Sequence, residues 1–533
     1  VEEMAVKINF NEAAVKTHTA LIQNERVMGK SLLRLSTGYR ILNAADDSAG
    51  LFIADMLGTV AAALDQGNAN IQTGISALQI AESSAGQIYT KLQEIYVRAQ
   101  RAANDINDPN ARSALQQEIN NFIDAIQKIG TDTEYNGMKL LDGTFTGKYI
   151  HYGPRADQTV TVGINSVKAS DLGAYMVVGT YTTNSATANA SATTVNNGYS
   201  ATSGAVTENF LYTASSDIAK VNGINVSTGL SFAVDAKKIA DNINNSTELQ
   251  NAGISARASN TSIAKADWTD IQVGTDQSLT VKFFVGTGNS AGITINVSAG
   301  ETLTLSDLVT EINSQASSGG INITAKAENN KLVLITEGET IGLEVSVSSL
   351  TSNTNPISVD MAQFLGLSST GKTVSATATS TNAASATGSA IQVGKLVIMG
   401  TDNYTYDFTG LTGSEQGLGI GSATGNATFN NLYSLDVTSN ENAETAIDIV
   451  KIALQKVDKI RSQIGAIMNN LQSIFDSQKT VYDNTKEAES VIRNTDYAKE
   501  MAEFTTYNIR MQATIAMLAQ ANTLPQLVLQ LMR

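Results

Sequence analysis

Two histidines, His18 and His151, the adjacent carboxylates Asp46 and Asp47, and not one cysteine are what this 533-residue chain offers for catalytic or metal chemistry. A zinc or hydrolytic centre needs its ligands brought together at fixed spacing, as the two histidines of an HExxH helix are. Neither histidine lies in such a spacing, so each reads as a surface or interface residue. Adjacent acids on a helix point apart, and no histidine or third acid is spaced to join Asp46 and Asp47. They read as solvated or capping carboxylates. Gly38 and Gly50 follow no strand and precede no lysine in a glycine-rich loop, so they cradle no phosphate. Without cysteine, disulfides, thiolate metal sites and thiol nucleophiles are excluded. The expectation is no enzyme, no cofactor and no metal site.

Charge narrows the partners further. Lys plus Arg total 35 against 50 Asp plus Glu, a net of −15, which disfavours nucleic acid and anionic membrane surfaces as partners. The N-terminus has two glutamates ahead of Met4 and no apolar run of signal-peptide length, and no stretch approaches about 20 uninterrupted apolar residues. Neither a cleaved signal peptide nor a membrane span is expected.

The elements that could position anything are helical at both ends and strand-like between. Ala13 to Leu42 reads as an amphipathic helix with Leu21, Met28, Leu32 and Leu35 on one side, ended or bent near Gly38. A second helix runs from about Asp46 to Asp105, with Leu64, Ile71, Ile75, Leu78, Ala85, Ile88, Leu92, Ile95, Ala99 and Ala102 at helical period and glycines 50, 58, 67 and 74 interrupting it. Asn107-Asp108-Pro109-Asn110 stops it and starts a third helix to about Ile129. Asn136-Gly137 suits a tight hairpin between Tyr135 and Lys139-Leu140-Leu141.

Near the other end, Ile447, Val450, Leu454, Val457, Ile460, Ile464, Ile467, Leu471, Ile474, Gln478, Val481, Thr485, Ala488 and Ile492 repeat at three and four residues with one stammer. A helix over Ala443 to Ser490 would be about 70 Å long. A last helix is predicted from Tyr497 to Asn522, with Met501, Phe504, Asn508, Met511, Ile515, Leu518 and Asn522 on one face. Pro525 is expected to end it and to leave an apolar tail, including Leu529 and Leu531, that docks on a neighbour. The two heptad-patterned ends must therefore pair, with the middle looped out between them.

From Lys148 onward the pattern turns to period two. Glu208 is the only charge from Asn184 to Ser216, and Thr373 to Gly394 has none, a composition open to small-residue β structure or to loops. Alternating apolar residues at 279–285, 293–297 and 331–335 favour folded β-rich domains. Within them Ile239–Asn244 leads into Gly253–Ala258 as Leu308–Asn313 leads into Gly320–Ala327, which predicts two related helix–strand modules near 220–263 and 290–337. The lone Trp268 reads as a core anchor of this region.

Three stretches carry a family resemblance. Residues 34–51, RLSTGYRILNAADDSAGL, resemble the N-terminal signature of bacterial flagellins. Thr133-Glu134-Tyr135-Asn136-Gly137 is similar to that family's turn after the third helix, with tyrosine where phenylalanine is usual. Leu518-Ala519-Gln520-Ala521-Asn522, Pro525-Gln526 and the closing residues 528–533 look like its C-terminus. The likeness covers about residues 4–165 and 430–533, with Met4 as the usual start and Val1-Glu2-Glu3 as an extension or start-site choice.

That resemblance implies an α+β multidomain fold whose N- and C-terminal helices pair in a coiled-coil core, with a β-rich outer region inserted. It implies terminal helices at 1–45 and 495–533 lining an inner tube, a helical rod with a β-hairpin at 46–170 and 430–494, and outer domains at 171–429. It implies a subunit of the flagellar filament, exported unfolded through a type III channel to an extracellular polymer. Its partners would be copies of itself, the flagellar cap, hook-junction proteins and an export chaperone. Leu21, Met28, Leu32, Leu35, Met501, Phe504, Met511, Ile515, Leu518, Leu529 and Leu531 are then the expected polymerisation contacts. The alternatives are a hook–filament junction protein, against which residues 518–533 argue, and a surface adhesin displaying its β-rich middle; an inserted metalloprotease lacks its HExxH. The segment 92–104 aligns with the stretch that a Toll-like receptor reads in some members, which carry arginine at the position of Glu94 and glutamate at that of Val97. With Glu94 and Val97 beside Arg98, weak or absent recognition is expected.

Overall fold

The computed structural model describes residues 10–104, 108–188, 219–230, 233–288, 291–350, 356–367, 370, 373–378, 383–409, 411, 418–420, 422 and 424–531, with the backbone alone at 184–188 and 524–531. Expectations for Val1–Asn9, for most of the Asn184–Ser216 tract and for the side chains of Leu529 and Leu531 lie outside the described residues. The chain divides into two compact units, one of Val1–Ser83, Glu134–Asn165 and Ser462–Arg533, the other of Ser84–Thr133 and Ser166–Arg461.

In the first unit, helix α1 (Glu12–Thr37) starts at Asn11, whose side chain accepts the Ala14 N–H at 3.0 Å, and stops where Gly38 turns left-handed at φ +76°. A residue with a Cβ resists that conformation, so the helix ends five residues short of Leu42. Helix α2 (Ser48–Ala102) and helix α7 (Asn440–Arg493) contribute their first and last parts respectively. They run antiparallel there, since Asp55 meets Arg493 at 3.4 Å and the Gly58 Cα faces the Glu489 carboxylate. Helix α8 (Tyr497–Leu531) lies antiparallel along α1.

Two expectations fail in this unit. Helix α8 does not end at Pro525 but continues to Leu531. Proline removes one amide hydrogen and costs a helix its i to i−4 bond, and the carbonyl left over, that of Ala521, is taken by a side chain from α1. The apolar stripe of α7 also loses cover beyond Leu471: Val481 is 44% exposed and Ala488 is exposed, because this part of the helix has fewer neighbours to fill both flanks.

Two hairpins complete the unit. Strands β1 (Glu134–Tyr135) and β2 (Met138–Lys139) are joined through Asn136 and Gly137, both at positive φ, the geometry a two-residue hairpin turn requires. Leu140 and Leu141 follow it as fully buried residues outside the strand. Strands β3 (Lys148–His151) and β4 (Thr159–Val162) pair over α2. They sit in notches: a Cβ at Gly67 would come within 2.0 Å of the Tyr152 carbonyl oxygen, and one at Gly74 within 2.4 Å of Ile150 Cδ1. The glycines that interrupt the α2 stripe are seats for this hairpin. Asn70 closes it by donating to the His151 carbonyl at 3.0 Å.

In the second unit, α2 buries Ala85, Ile88, Leu92, Ile95, Ala99 and Ala102, and helix α3 (Pro109–Asp132) buries Leu115, Ile119, Ile123 and Ile126. Asp108 caps α3 from the Ala111 N–H at 2.7 Å, with Pro109 in the first turn. Two antiparallel sheets follow. The first orders β9 (Ile293–Val297), β8 (Gln277–Val285), β12 (Ile341–Ser349), β13 (Ala384–Val393) and β6 (Thr182–Ala188). The second orders β10 (Thr324–Glu328), β11 (Lys331–Thr336), β7 (Ile254–Ile263), β14 (Lys395–Gly400), β5 (Gly173–Val178) and β15 (Thr428–Asn431). Part of the charge-free stretch from Thr373 to Gly394 is thus strand: its small side chains are buried between layers, as Ala386 and Ala390 are.

Helix α4 (Ala236–Asn245), followed by the short helix α5 (Thr247–Asn251), with β7, and helix α6 (Leu305–Gly319) with β10, share one device. Asn244 clasps both backbone groups of Ala256 at 2.9 and 2.7 Å, and Asn313 clasps those of Ala325 at 2.8 and 2.9 Å, twelve residues on in each case. A third amide guards the edge of the first sheet, where Gln315 accepts from the Thr294 N–H and donates to its carbonyl, both at 2.9 Å. Trp268 is buried against Phe364, edge to face at 5.4 Å.

Candidate polymerisation interface

Along the facing sides of α1 and α8 the residues are small, polar or half-buried. From α1 come Leu21, Asn24, Met28, Ser31 and Leu35, and from α8 come Glu500, Phe504, Met511, Thr514, Leu518 and Ala521. The seam is pinned by hydrogen bonds as much as by apolar packing. Asn11 Nδ2 donates to the Ala521 carbonyl at 2.8 Å, Asn24 Nδ2 to Thr514 Oγ1 at 3.2 Å, and Arg34 approaches the buried Glu500 at 3.7 Å.

The opposite sides are apolar and open. Phe10, Val15, Ile22, Leu32 and Leu33 near or on α1 and Met501, Ile509, Ile515 and Met517 on α8 are each about half exposed or more, Ile509 and Met517 at 61%. On α2, Phe52, Ile53 and Met56 add to them. Single exposed apolar residues need no explanation, but a run of them on both members of one helix pair marks a surface built to be covered. The expected contacts therefore divide: Leu21, Met28, Leu35, Phe504, Met511 and Leu518 hold the pair together, while Leu32, Met501 and Ile515 face outward. By length and composition α2 is long and apolar enough to cross a membrane.

At the foot of the pair the chain crosses itself. Tyr39 and Asn494 form an isolated antiparallel bridge, Arg40 N donates to the Arg493 carbonyl at 2.7 Å, and Thr495 N donates to the Gly38 carbonyl at 2.9 Å. The Arg40 guanidinium reaches the Ile492 carbonyl at 2.7 Å, and that of Arg493 lies 4.9 Å over the Tyr39 ring. Asp46 and Asp47 sit just before α2 rather than on it. Asp47 caps it by accepting the Gly50 N–H at 2.9 Å, and Asp46 accepts from Leu42 N and Lys30 Nζ, both at 3.3 Å. Burial opposes ionisation of Asp46, but those two donors outweigh it and hold the carboxyl below its usual range.

His18 and His151 are exposed, and no group of three His, Asp or Glu side chains could hold a metal ion among the described residues. The groove between α2 and the hairpins is lined by Thr73, Gly74, Tyr135, Lys148, Tyr149 and His151 among others, and no carboxylate is part of that lining. At the receptor-like patch Arg98 is bound to Glu94 and, at 2.6 Å, to Glu118, and lies 4.6 Å over the Phe122 ring, while Val97 stands 59% exposed.

Comparison with known proteins identifies the family. The bacterial flagellin N-terminal helical region matches residues 8–146, the C-terminal helical region matches 447–532, and the flagellin hook IN motif matches 278–338. A flagellin of Aquifex pyrophilus is 50% identical over 99% of this chain and the whole of its own length. The chain belongs to the bacterial flagellins. This flagellin is a structural subunit of the flagellar filament, and its helical ends and β-rich middle make an α+β fold. Among solved structures, FliC from Burkholderia pseudomallei is 16% identical, covers 75% of this chain and 99% of its own, and has a TM-score of 0.28. The junction protein FlgL from Legionella pneumophila is 9% identical, with coverage of 83% and 99% and a TM-score of 0.31. Likenesses of that size carry no argument and do not weigh against the identity to a flagellin. Sequence reasoning missed Asn11, the crossing at Tyr39 and Asn494, and the hairpin seats at Gly67 and Gly74. Only the glycines left a signal, as breaks in an otherwise regular stripe.

Proposed function

We propose that α1 and α8 are the polymerisation interface of this flagellin, acting on two sides. Leu21, Met28, Leu35, Phe504, Met511 and Leu518 hold the two helices to each other, and Leu32, Met501 and Ile515 meet neighbouring subunits, with Leu529 and Leu531 extending the contact. The observation that carries this reading is the apolar side left open on both helices at once. An amphipathic helix gains most of its stability from packing, so ordering the pair and binding a neighbour are one event. The contact is head-to-tail and does not close, since a closed ring could not lengthen.

On this reading residues 1–45 and 495–533 form the inner tube, 46–170 and 430–494 the surrounding rod, and 171–429 the outward domains. The subunit passes unfolded through a type III channel to an extracellular filament, meeting an export chaperone, hook-junction proteins and the cap on the way. No step of that life requires a catalytic residue. The test is to delete the residues beyond Met511 and incubate the product with filament seeds, scored by negative-stain electron microscopy. The truncated chain should keep a cooperatively melting β-rich middle and add nothing to the seeds. Growth of long tubes from it would overturn the assignment.

A further inference from the structure

The carboxamide of Asn11 makes two bonds that rarely fall to one side chain. Its oxygen accepts the Ala14 N–H at 3.0 Å and so caps α1, while its nitrogen donates to the Ala521 carbonyl at 2.8 Å, 510 residues away. The two bonds fix each other's orientation, because an N–H requires the oxygen and a carbonyl requires the amino group. Ala521 is 5% exposed, and its carbonyl lies four residues before Pro525. Inside a helix that carbonyl would bond the amide hydrogen of residue 525, and proline has none. The pair therefore has one carbonyl in α8 that lacks its i to i+4 amide partner, and one donor at the tip of α1 that reaches it.

We propose that Asn11 and Pro525 together are a register pin: proline creates a single acceptor on α8, and only the in-register pairing brings the α1 cap to it. Sliding the helices by one turn would leave that carbonyl buried and unsatisfied, and would also part Arg34 from the buried Glu500. The pin thus determines which outward residues of α1 and α8 are presented together. This consequence rests on the interface proposed above; the pin itself does not.

The absence of cysteine makes the test clean. Asn24→Cys with Thr514→Cys, whose side chains touch at 3.2 Å, reports the observed register. Asn24→Cys with Leu518→Cys reports a slip of one turn. Each pair is placed in the full chain and copolymerised as a minor fraction with cysteine-free protein on seeds, so growth does not depend on the variant. Asn11→Asp keeps the cap, since aspartate caps as well as asparagine, and removes the donor. It should lower the ratio of in-register to slipped disulfide by at least about fivefold, the smaller effect of an unsatisfied buried carbonyl. Adding Pro525→Ala supplies the missing amide hydrogen and should abolish that loss. If Asn11→Asp is not incorporated at all, its incorporation on adding Pro525→Ala supports the pin, and failure of both overturns it. An unchanged ratio in Asn11→Asp, or a loss that Pro525→Ala does not relieve, also overturns it. If filaments grow but the parent pair never cross-links in register, the pin falls while the interface reading stands.

Discussion

Replacing Ile509 by serine should weaken filament growth and leave the folding of the single chain untouched. Ile509 stands 61% exposed on the outward side of α8, so little of it is packed before assembly. Burying an isoleucine fully is worth about 1.5–3 kcal/mol, and the part still open here is therefore worth about 1–2 kcal/mol on assembly. Since every 1.4 kcal/mol is tenfold in a binding constant, the critical concentration for growth should rise roughly 5- to 30-fold. The control is Ile263, 55% exposed on β7 of the second sheet, where the same substitution removes a nearly equal open surface outside the proposed interface. Seeded growth is followed by sedimentation of polymer across a concentration series, with melting of the monomer measured in parallel. The reasoning fails if Ile509→Ser and Ile263→Ser shift the critical concentration equally, or if Ile509→Ser lowers the monomer melt while growth is unchanged.

Other expectations concern single sites. Gly67→Ala drives a methyl to 2.0 Å from the Tyr152 carbonyl and should displace the β3–β4 hairpin, seen as lost amide protection at Ile150–Tyr152 in hydrogen exchange, whereas Gly29→Ala, with nothing within 4 Å, should stabilise α1 by about 1 kcal/mol where that helix is formed. Asp235 is buried at the start of α4, and desolvation pushes its carboxyl up to about 6 against the hydrogen bonds from Lys238 and Thr340. A raised carboxyl pKa favours folding below the unfolded value near 3.8 and loses that benefit as pH rises through 6, so the melting difference between wild type and Asp235→Asn should shrink in wild type's disfavour from pH 4 to pH 7. A pH-independent difference would assign Asp235 a purely hydrogen-bonding role. In reporter cells bearing the flagellin-reading Toll-like receptor, purified monomer should signal weakly or not at all, because Glu94 and Glu118 occupy Arg98 and Val97 offers no charge; robust nanomolar signalling would refute this.

Much of the helical core was legible because heptads state burial directly: every predicted α2 position is buried except Ile75, which is half-buried. The Asn136-Gly137 turn and the paired helix–strand segments were legible for the same reason, since local chemistry and local geometry coincide there. Pro525 misled because its cost to a helix depends on who takes the freed carbonyl, and that partner lies 510 residues away. Gly67 and Gly74 read as breaks, since a stripe cannot reveal what crosses it. On the pair α1 and α8 the sequence could not divide inward-facing from outward-facing residues. That division follows from a seam of polar and small groups, Asn24, Ser31, Thr514 and Ala521, which hydropathy does not distinguish from surface.

The Gln315 amide over Thr294 acquires a different meaning once many copies stand side by side. A strand margin offers donors and acceptors to any other strand at hand, and a filament holds thousands of identical margins at a local concentration no free solution reaches. With both outward groups of Thr294 already engaged, and Lys326 and Glu328 on the margin strand β10 of the second sheet, those edges have little to offer one another. On the outward placement proposed for residues 171–429, copies can crowd without their margins zipping into a cross-linked sleeve.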